Sequence, residues 1–445
     1  MKNDKYLRQH NNLIFYNLEV MGKILIWVGL ILLIITAGPS ISGDGEVRFS
    51  VVSAIMEGAS IPLIKYSLLQ PLFSMPLAYI SSVLGFDYKN VVAYSNIFFC
   101  LALGKIIFNS LIRIYSHKIA IHTLLLVLAA SMFPFHLQQY YGEVLSTLCV
   151  TAGVLLSRKN VVYTVLLIGI GIANTPAIFP SGLIAALVLV RKNPGFLAGV
   201  VLALVLILTE NFYKFGSLSG SVYLSESEKG FKTIMPYSGI PGFSYPLFFG
   251  ILSVTLSFGK GLVFFIPGLF LLIHKKGWEL IKGWNVYGVA LSLFIIVLIL
   301  VYSKWWAWYG GNFWGPRFFL ILTIPTSLVL AKSIDGAISG YEKYILVLIL
   351  LISFWVGING VVFGQDNMGI CWQNNYKCEM LCWYVPEFSA LWRPFVTHSL
   401  LGLIDAICDD HRASYALWQF TTFGYFIYAL LINGGRCQDD EEVYV

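Results

Sequence analysis

Charge is what this chain has least of. Asp, Glu, Lys and Arg make up 12% of its 445 residues, apolar types 58%, and the mean hydropathy is +0.76, far from the balance of a soluble domain. That scarcity excludes a solvated globule and leaves a polytopic membrane protein. The 29 Lys and Arg stand in ones and twos between apolar runs, so no basic face is present and nucleic acid is excluded as a partner. There is no G-x-x-x-x-G-K-[ST], no G-x-S-x-G, no H-E-x-x-H and no C-x-x-C, which removes nucleotide cradles, elbow serines and zinc-protease chemistry. Short-period repeats and a soluble stretch long enough for its own core are missing as well.

What is present is a succession of uncharged runs. A spanning helix needs about 20 apolar residues, and runs at 22–41, 91–113, 119–136, 140–157, 161–173, 176–190, 195–212, 262–274, 285–303, 317–333, 343–363 and 415–433 predict an all-α bundle of about 11–13 spans. Pro176 and Pro180 in "NTPAIFP" break the 160–190 region into two short helices or one interrupted helix. The start "MKNDKYLRQHNNLIFYNLEVMGK" is too long and polar for a signal-peptide n-region, so the first span is expected to stay as an anchor. Short basic connectors, namely the N-terminal tail, "RIYSHK", "SRKN", "VRKNPG", "HKKGWELIK" and "AKSIDGAISGYEK", all count to one side, which is therefore cytoplasmic. The opposite face receives the loops 42–90, 213–261, 304–316 and 364–414, with amphipathic helices expected within them. Residues 1–445 read as one membrane domain.

Four of the seven cysteines, Cys371, Cys378, Cys382 and Cys408, lie in the last outer loop, where one or two disulfides would pin it. The chemistry-bearing residues gather on the same face. "SISGDGEVRFS" puts Asp44, Glu46 and Arg48 directly after the first span, and "YYGE" puts Glu143 at the start of a short one. Carboxylates there need a partner or a task. Lys260 stands between two glycines in "SFGKGLVFFIPG", and Arg317 follows a Gly-Pro pair in "WGPRFFLILTIP". As snorkelling anchors these cations would need only reach; together with the acids they can supply a base and an anion clamp. Trp308, Tyr309 and Trp314 of "KWWAWYGGNFWGPR" read either as an interfacial belt or as stacking platforms for a sugar or lipid.

The order of these motifs resembles the GT-C superfamily of integral membrane glycosyltransferases, and within it the bacterial and archaeal branch that uses polyprenyl-phosphate sugars. The resemblance runs from about residue 40 to 400, counting "VPEFSALWRPFVTHSLL". It implies that Asp44 matches the first-loop catalytic acid and Glu143 the second-loop acid. Many members carry adjacent Asp-Glu, whereas this chain reads Asp44-Gly45-Glu46, so either carboxylate is open to the base role, with Asp44 favoured. The implied partners are a polyprenyl-phosphate sugar donor, membrane lipids and a glycan, lipid or protein acceptor. The implied location is a prokaryotic cytoplasmic membrane with the site facing outward. Lys260, Arg317 and Arg48 would hold the donor phosphate; a divalent ion (Mg or Mn) on Asp44, Glu46 and Glu143 is a candidate cofactor, as some relatives use one. A transporter or flippase of lipid-linked saccharides, or an oligosaccharide polymerase or ligase, would present a similar sequence.

Overall fold

The computed structural model describes residues 2–36, 38–157, 159–218, 234–235, 237–238, 240, 242–273, 286–336, 341–364 and 368–441. Where charge is absent from the sequence the chain is helical, because in hydrocarbon only a helix satisfies its backbone internally. Seven helices are long and apolar enough to cross a membrane: Asn17–Thr36, Ser95–Ile114, Gly195–Phe215, Val286–Lys304, Arg317–Asp335, Tyr341–Val362 and Ala413–Ile432. An eighth span results if Val161–Asn174 and Pro176–Leu189, bent by 113° at their junction, are taken together. The interrupted helix expected from Pro176 and Pro180 is thus present. The expected dozen is not reached by full-length helices among the described residues. His117–Ala129, Gly142–Leu156 and Leu247–Leu256 are shorter apolar helices, and the run at 262–274 is divided into Leu262–Phe265 and Leu269–Ile273 by Pro267 and Gly268, a pair that stops a helix.

The short helices His117–Ala129 and Gly142–Leu156 are sheathed by their neighbours rather than by lipid. Most of their residues are buried, so protein rather than bilayer sets their length. The first and last helices clasp one edge of the bundle: the Trp418 indole donates to the Leu25 carbonyl at 2.8 Å, and Gly29 lets that ring lie against the backbone. This is the close approach that small residues allow between membrane helices. Amphipathic helices do occupy two of the loops expected on the outer face, at Leu69–Val83 and Leu400–Asp409.

Three helices run the same way through the bundle. Ser95–Ile114, Gly142–Leu156 and Arg317–Asp335 start at one end. At the other end "RIYSHK" meets "AKSID": Lys118 pairs with Asp335, and Lys332 lies 5.1 Å from the Tyr115 ring centre. "VRKNPG" meets "SRKN" there through Asn193, which donates to the Ser157 carbonyl at 2.5 Å. Basic connectors therefore share one end of the bundle, and the acids Asp44 and Glu143 lie at the opposite end. Arg158 and "HKKGWELIK", together with part of the loop 213–261, lie outside the described residues.

Candidate active site

The helix Asp44–Met56 starts one residue after Gly43, whose φ of 52° is left-handed backbone open chiefly to glycine. A Cβ on Gly43 would also come within 2.9 Å of the Phe313 ring. The turn aims the Asp44 carboxylate at Arg317. The second acid, Glu143, is brought alongside by the bridge between Ser40 and Gln139, in which the Ser40 amide donates to the Gln138 carbonyl at 2.9 Å.

Arg317 joins the two acids. It is 6% exposed. One guanidinium nitrogen pairs with Asp44 Oδ2, another lies 3.7 Å from Glu143 Oε1, and Nε donates to the Gly310 carbonyl at 3.0 Å. The guanidinium lies 4.4 Å from the Phe313 ring centre and 5.3 Å from that of Tyr141, contacts that favour a weakly hydrated cation. Glu143 Oε2 is buried with no hydrogen-bond partner among the described residues. Burial by itself would raise the Asp44 carboxyl. The charge of Arg317, a hydrogen bond from Tyr66 and the charge of Lys65 outweigh it and hold the pKa below its ordinary 3.8.

Lys260 is 1% exposed. Its ammonium donates to the carbonyls of Gly311 at 3.3 Å, Gly315 at 2.9 Å and Phe313, and it stands 4.8 Å from the Trp383 ring centre. Its donors are thus used in tying down the loop that delivers Arg317. Burial, then the charge of Arg317, push its pKa well below the usual lysine value, against an opposing pull from Glu379. The loop's aromatics do the same structural work: Trp308, Tyr309 and Trp314 are buried at 2%, 3% and 0% exposure. Trp314 donates to Asn359 at 2.8 Å, and Tyr309 stacks on Trp383 at 5.3 Å. The structure therefore corrects the expectation of open stacking platforms, because these rings are spent on packing the loop against the bundle.

Arg48 is buried behind Asp44. It lies 4.6 Å from the Tyr66 ring centre, donates to the Ser67 carbonyl at 3.4 Å, and Gly142 leaves room for its guanidinium. Glu46 points elsewhere. Two residues on from Asp44, it faces the other side of the helix, where it is exposed and lines a separate groove. Asp44, Glu46 and Glu143 therefore do not meet, and no group of three metal-binding side chains occurs among the described residues. The Arg317 guanidinium stands between Asp44 and Glu143, in the place a divalent ion would need, so these residues as arranged do not fit one.

Cys371 and Cys382 form a disulfide, whereas Cys378 and Cys408 are free. The linked segment leads directly into Trp383, whose carbonyl accepts from the Gly259 amide at 3.0 Å, so the bridge braces the backbone beside Lys260.

Sequence reasoning missed a set of uncharged and distant supports. Asn174, freed at the bent junction, donates to the Gly142 carbonyl at 2.8 Å; Asn96 donates to Gln139 and Tyr141 carbonyls at 2.6 and 3.1 Å; Gln70 donates to the Tyr141 carbonyl at 3.2 Å. Together they fix the segment in front of Glu143. Glu210 accepts from Ser67 Oγ at 2.9 Å and the Leu68 amide at 3.0 Å, while Lys214 donates to the Tyr66 carbonyl at 2.6 Å, which seats Tyr66 against Asp44. A charge pair at i, i+4 near the end of a span was the available signal for Glu210 and Lys214.

The polytopic bundle, in which two loops bring acids to an arginine from a third, matches known membrane proteins in fold. In particular, it is similar to two crystal structures of ArnT from Cupriavidus metallidurans. The apo structure aligns with a TM-score of 0.52 at 13% identity, and the one bound to undecaprenyl phosphate with 0.53 at 14%; each alignment covers 92% of this chain and 76% of that one. The likeness is one of fold. The sequence matches no family profile and no curated protein.

Proposed function

We propose that this chain is a membrane glycosyltransferase that moves a sugar from a polyprenyl-phosphate donor to an acceptor hydroxyl at the extracytoplasmic face of a prokaryotic inner membrane, with inversion. The observation that carries it is the contact between Asp44 and Arg317, with Glu143 on the far side of the guanidinium. The similar ArnT structure with bound undecaprenyl phosphate supports a lipid of that class as donor carrier. The basic connectors at the opposite end support the outward orientation.

In the reaction the acceptor oxygen bonds to the sugar C1 as its proton passes to the Asp44 carboxylate. The bond from C1 to the phosphate oxygen breaks, and its electron pair leaves with the polyprenyl phosphate. Attack opposite the leaving group inverts C1. Arg317 holds the charge growing on phosphate, the kind of interaction worth most where water is excluded. Asp44 tied to Arg317 is a weak base. A phosphate drawing on the same guanidinium loosens that tie, so donor arrival strengthens the base for the step that needs it. Glu143 keeps Arg317 oriented, and Lys260 and Arg48 act as positioning residues through the loop and Tyr66. No step is routed through a metal.

The test is transfer from a synthetic polyprenyl-phosphate sugar in detergent. Asp44→Asn keeps the shape and removes the basicity, so turnover should fall by about 10²–10⁴ with protein level retained. Near-normal transfer by this variant would rule out Asp44 as the base; lipid-linked saccharide movement without any transfer would point to a flippase.

A further inference from the structure

The face of the Asp44 helix that turns away from Arg317 carries a groove of about 440 Å³ lined by Glu46, Phe49, Ser53, Glu57, Pro62 and Lys89 among others. That volume lies within the roughly 300–1,000 Å³ of small-molecule sites. Glu46, Glu57 and Lys89 are exposed, and ionised groups facing outward set this wall in water rather than lipid. We propose that this groove is a saccharide subsite for the acceptor, holding a neutral sugar ring of an oligosaccharide or glycolipid whose terminal ring reacts at Asp44.

The lining has the two halves that sugar recognition requires. Carboxylates accept hydrogen bonds from neighbouring hydroxyls, and an apolar floor takes the C–H face of the ring. Glu57 is already oriented, accepting from Ser53 Oγ at 2.6 Å and Tyr88 at 3.3 Å. Glu46 forms no ion pair or hydrogen bond among the described residues, so its oxygens are open to a ligand. The floor is rigid: Phe49 stacks on Tyr88 at 5.8 Å, and Lys89 lies 5.8 Å from the Phe49 ring centre. Two carboxylates against one lysine disfavour a phosphorylated or otherwise anionic ring.

The placement also sets the acceptor's size. Glu46 follows Asp44 by two residues on one rigid helix, so groove and reacting carboxylate are separated by about one helix diameter, roughly 10 Å. A single sugar cannot occupy both; an acceptor of two or more can. This rests on the transferase reading for its role, but its test does not need turnover.

The experiment is saturation-transfer NMR on the full chain in nanodiscs with methyl β-glucoside, methyl α-mannoside, methyl β-galactoside, lactose and glucose 6-phosphate. At least one neutral sugar should give a signal that falls fivefold or more in Glu46→Gln and in Ala59→Trp, which fills the groove from an exposed position, while Asp44→Asn leaves it in place. Glucose 6-phosphate should give none. Absence of signal from every neutral sugar, survival of the signal in both groove variants, or its loss in Asp44→Asn would each overturn the proposal. Melting curves that match the parent exclude misfolding as the cause of a loss. A failed transfer assay beside intact sugar binding would count against the transferase reading alone.

Discussion

Arg317 and Lys260 are both cations buried at one rim, and their partners give them different duties. Arg317 faces carboxylates, one of which the proposed reaction exchanges for phosphate; Lys260 faces the backbone carbonyls of Gly311, Phe313 and Gly315. Arg317→Lys keeps the charge but loses the fork that reaches two anions, so donor KM should rise while melting changes little. Lys260→Met removes the side-chain donor that ties three loop carbonyls together and should cost about 1–3 kcal/mol of stability, read as an earlier thermal unfolding before any donor is added. A Lys260→Met protein that melts like the parent but has lost donor binding would mean the ammonium meets phosphate after all. The pH dependence follows from Asp44. Its folded pKa is depressed, so its ionised form stabilises the fold above the ordinary value, and that contribution is lost as pH falls through the lower folded one. In kcat/KM the acid limb should therefore lie below pH 3.8. Arg317→Gln leaves burial uncompensated, and the limb should move to higher pH. Individual residue types at the rim were legible in the sequence. The divergence of Asp44 and Glu46 was readable too, since i and i+2 do not share a helix face, but the resemblance to adjacent acids drew the two together. The burial of Trp308, Tyr309 and Trp314 was not readable, because an interfacial belt and a packed loop have the same composition.

Turns and breaks decide where those side chains go. Gly43 starts the Asp44 helix from a left-handed residue pressed against Phe313. Gly43→Ala should cost about 1–3 kcal/mol of strain and lower kcat more than it raises donor KM, as measured in the same transfer assay. An unchanged kcat would separate the turn from the chemistry. The prolines made the break after Asn174 visible from sequence; its purpose was not, because the link from Asn174 to Gly142 joins residues 32 apart. Long-range polar contacts of this kind leave no local pattern. The division of 262–274 was within reach, since Pro267-Gly268 carries the same signal that was read correctly at Pro176.

At the scale of the molecule, orientation is the accessible test. A reporter fused after Arg191 should read cytoplasmic and one inserted at Gly311 external; finding both on one side would break the assignment of ends. The helical membrane architecture was legible because hydrocarbon tolerates few alternatives. Among the described residues seven helices, or eight with the bent pair, have full spanning length, because a helix sheathed by protein has no obligation to match the bilayer. At 13–14% identity to ArnT, what persists is the fold.

The helix Gly142–Leu156 has 15 residues, about 22 Å of rise, against a hydrocarbon core of about 30 Å. With its Ser157 end among the basic connectors, a bilayer of that thickness would put its Glu143 end several ångströms short of the opposite headgroups. On the proposed orientation the paired acids and Arg317 therefore sit sunken below the headgroups, and the phosphate of a polyprenyl donor would have to be drawn down to reach them. The acceptor proposed above would have to come down as well, through a wetted well between the loops. Hydrophobic mismatch then becomes a control on rate: a thinner bilayer shortens the well, and transfer measured in vesicles of decreasing acyl length should quicken until the longer spans begin to tilt.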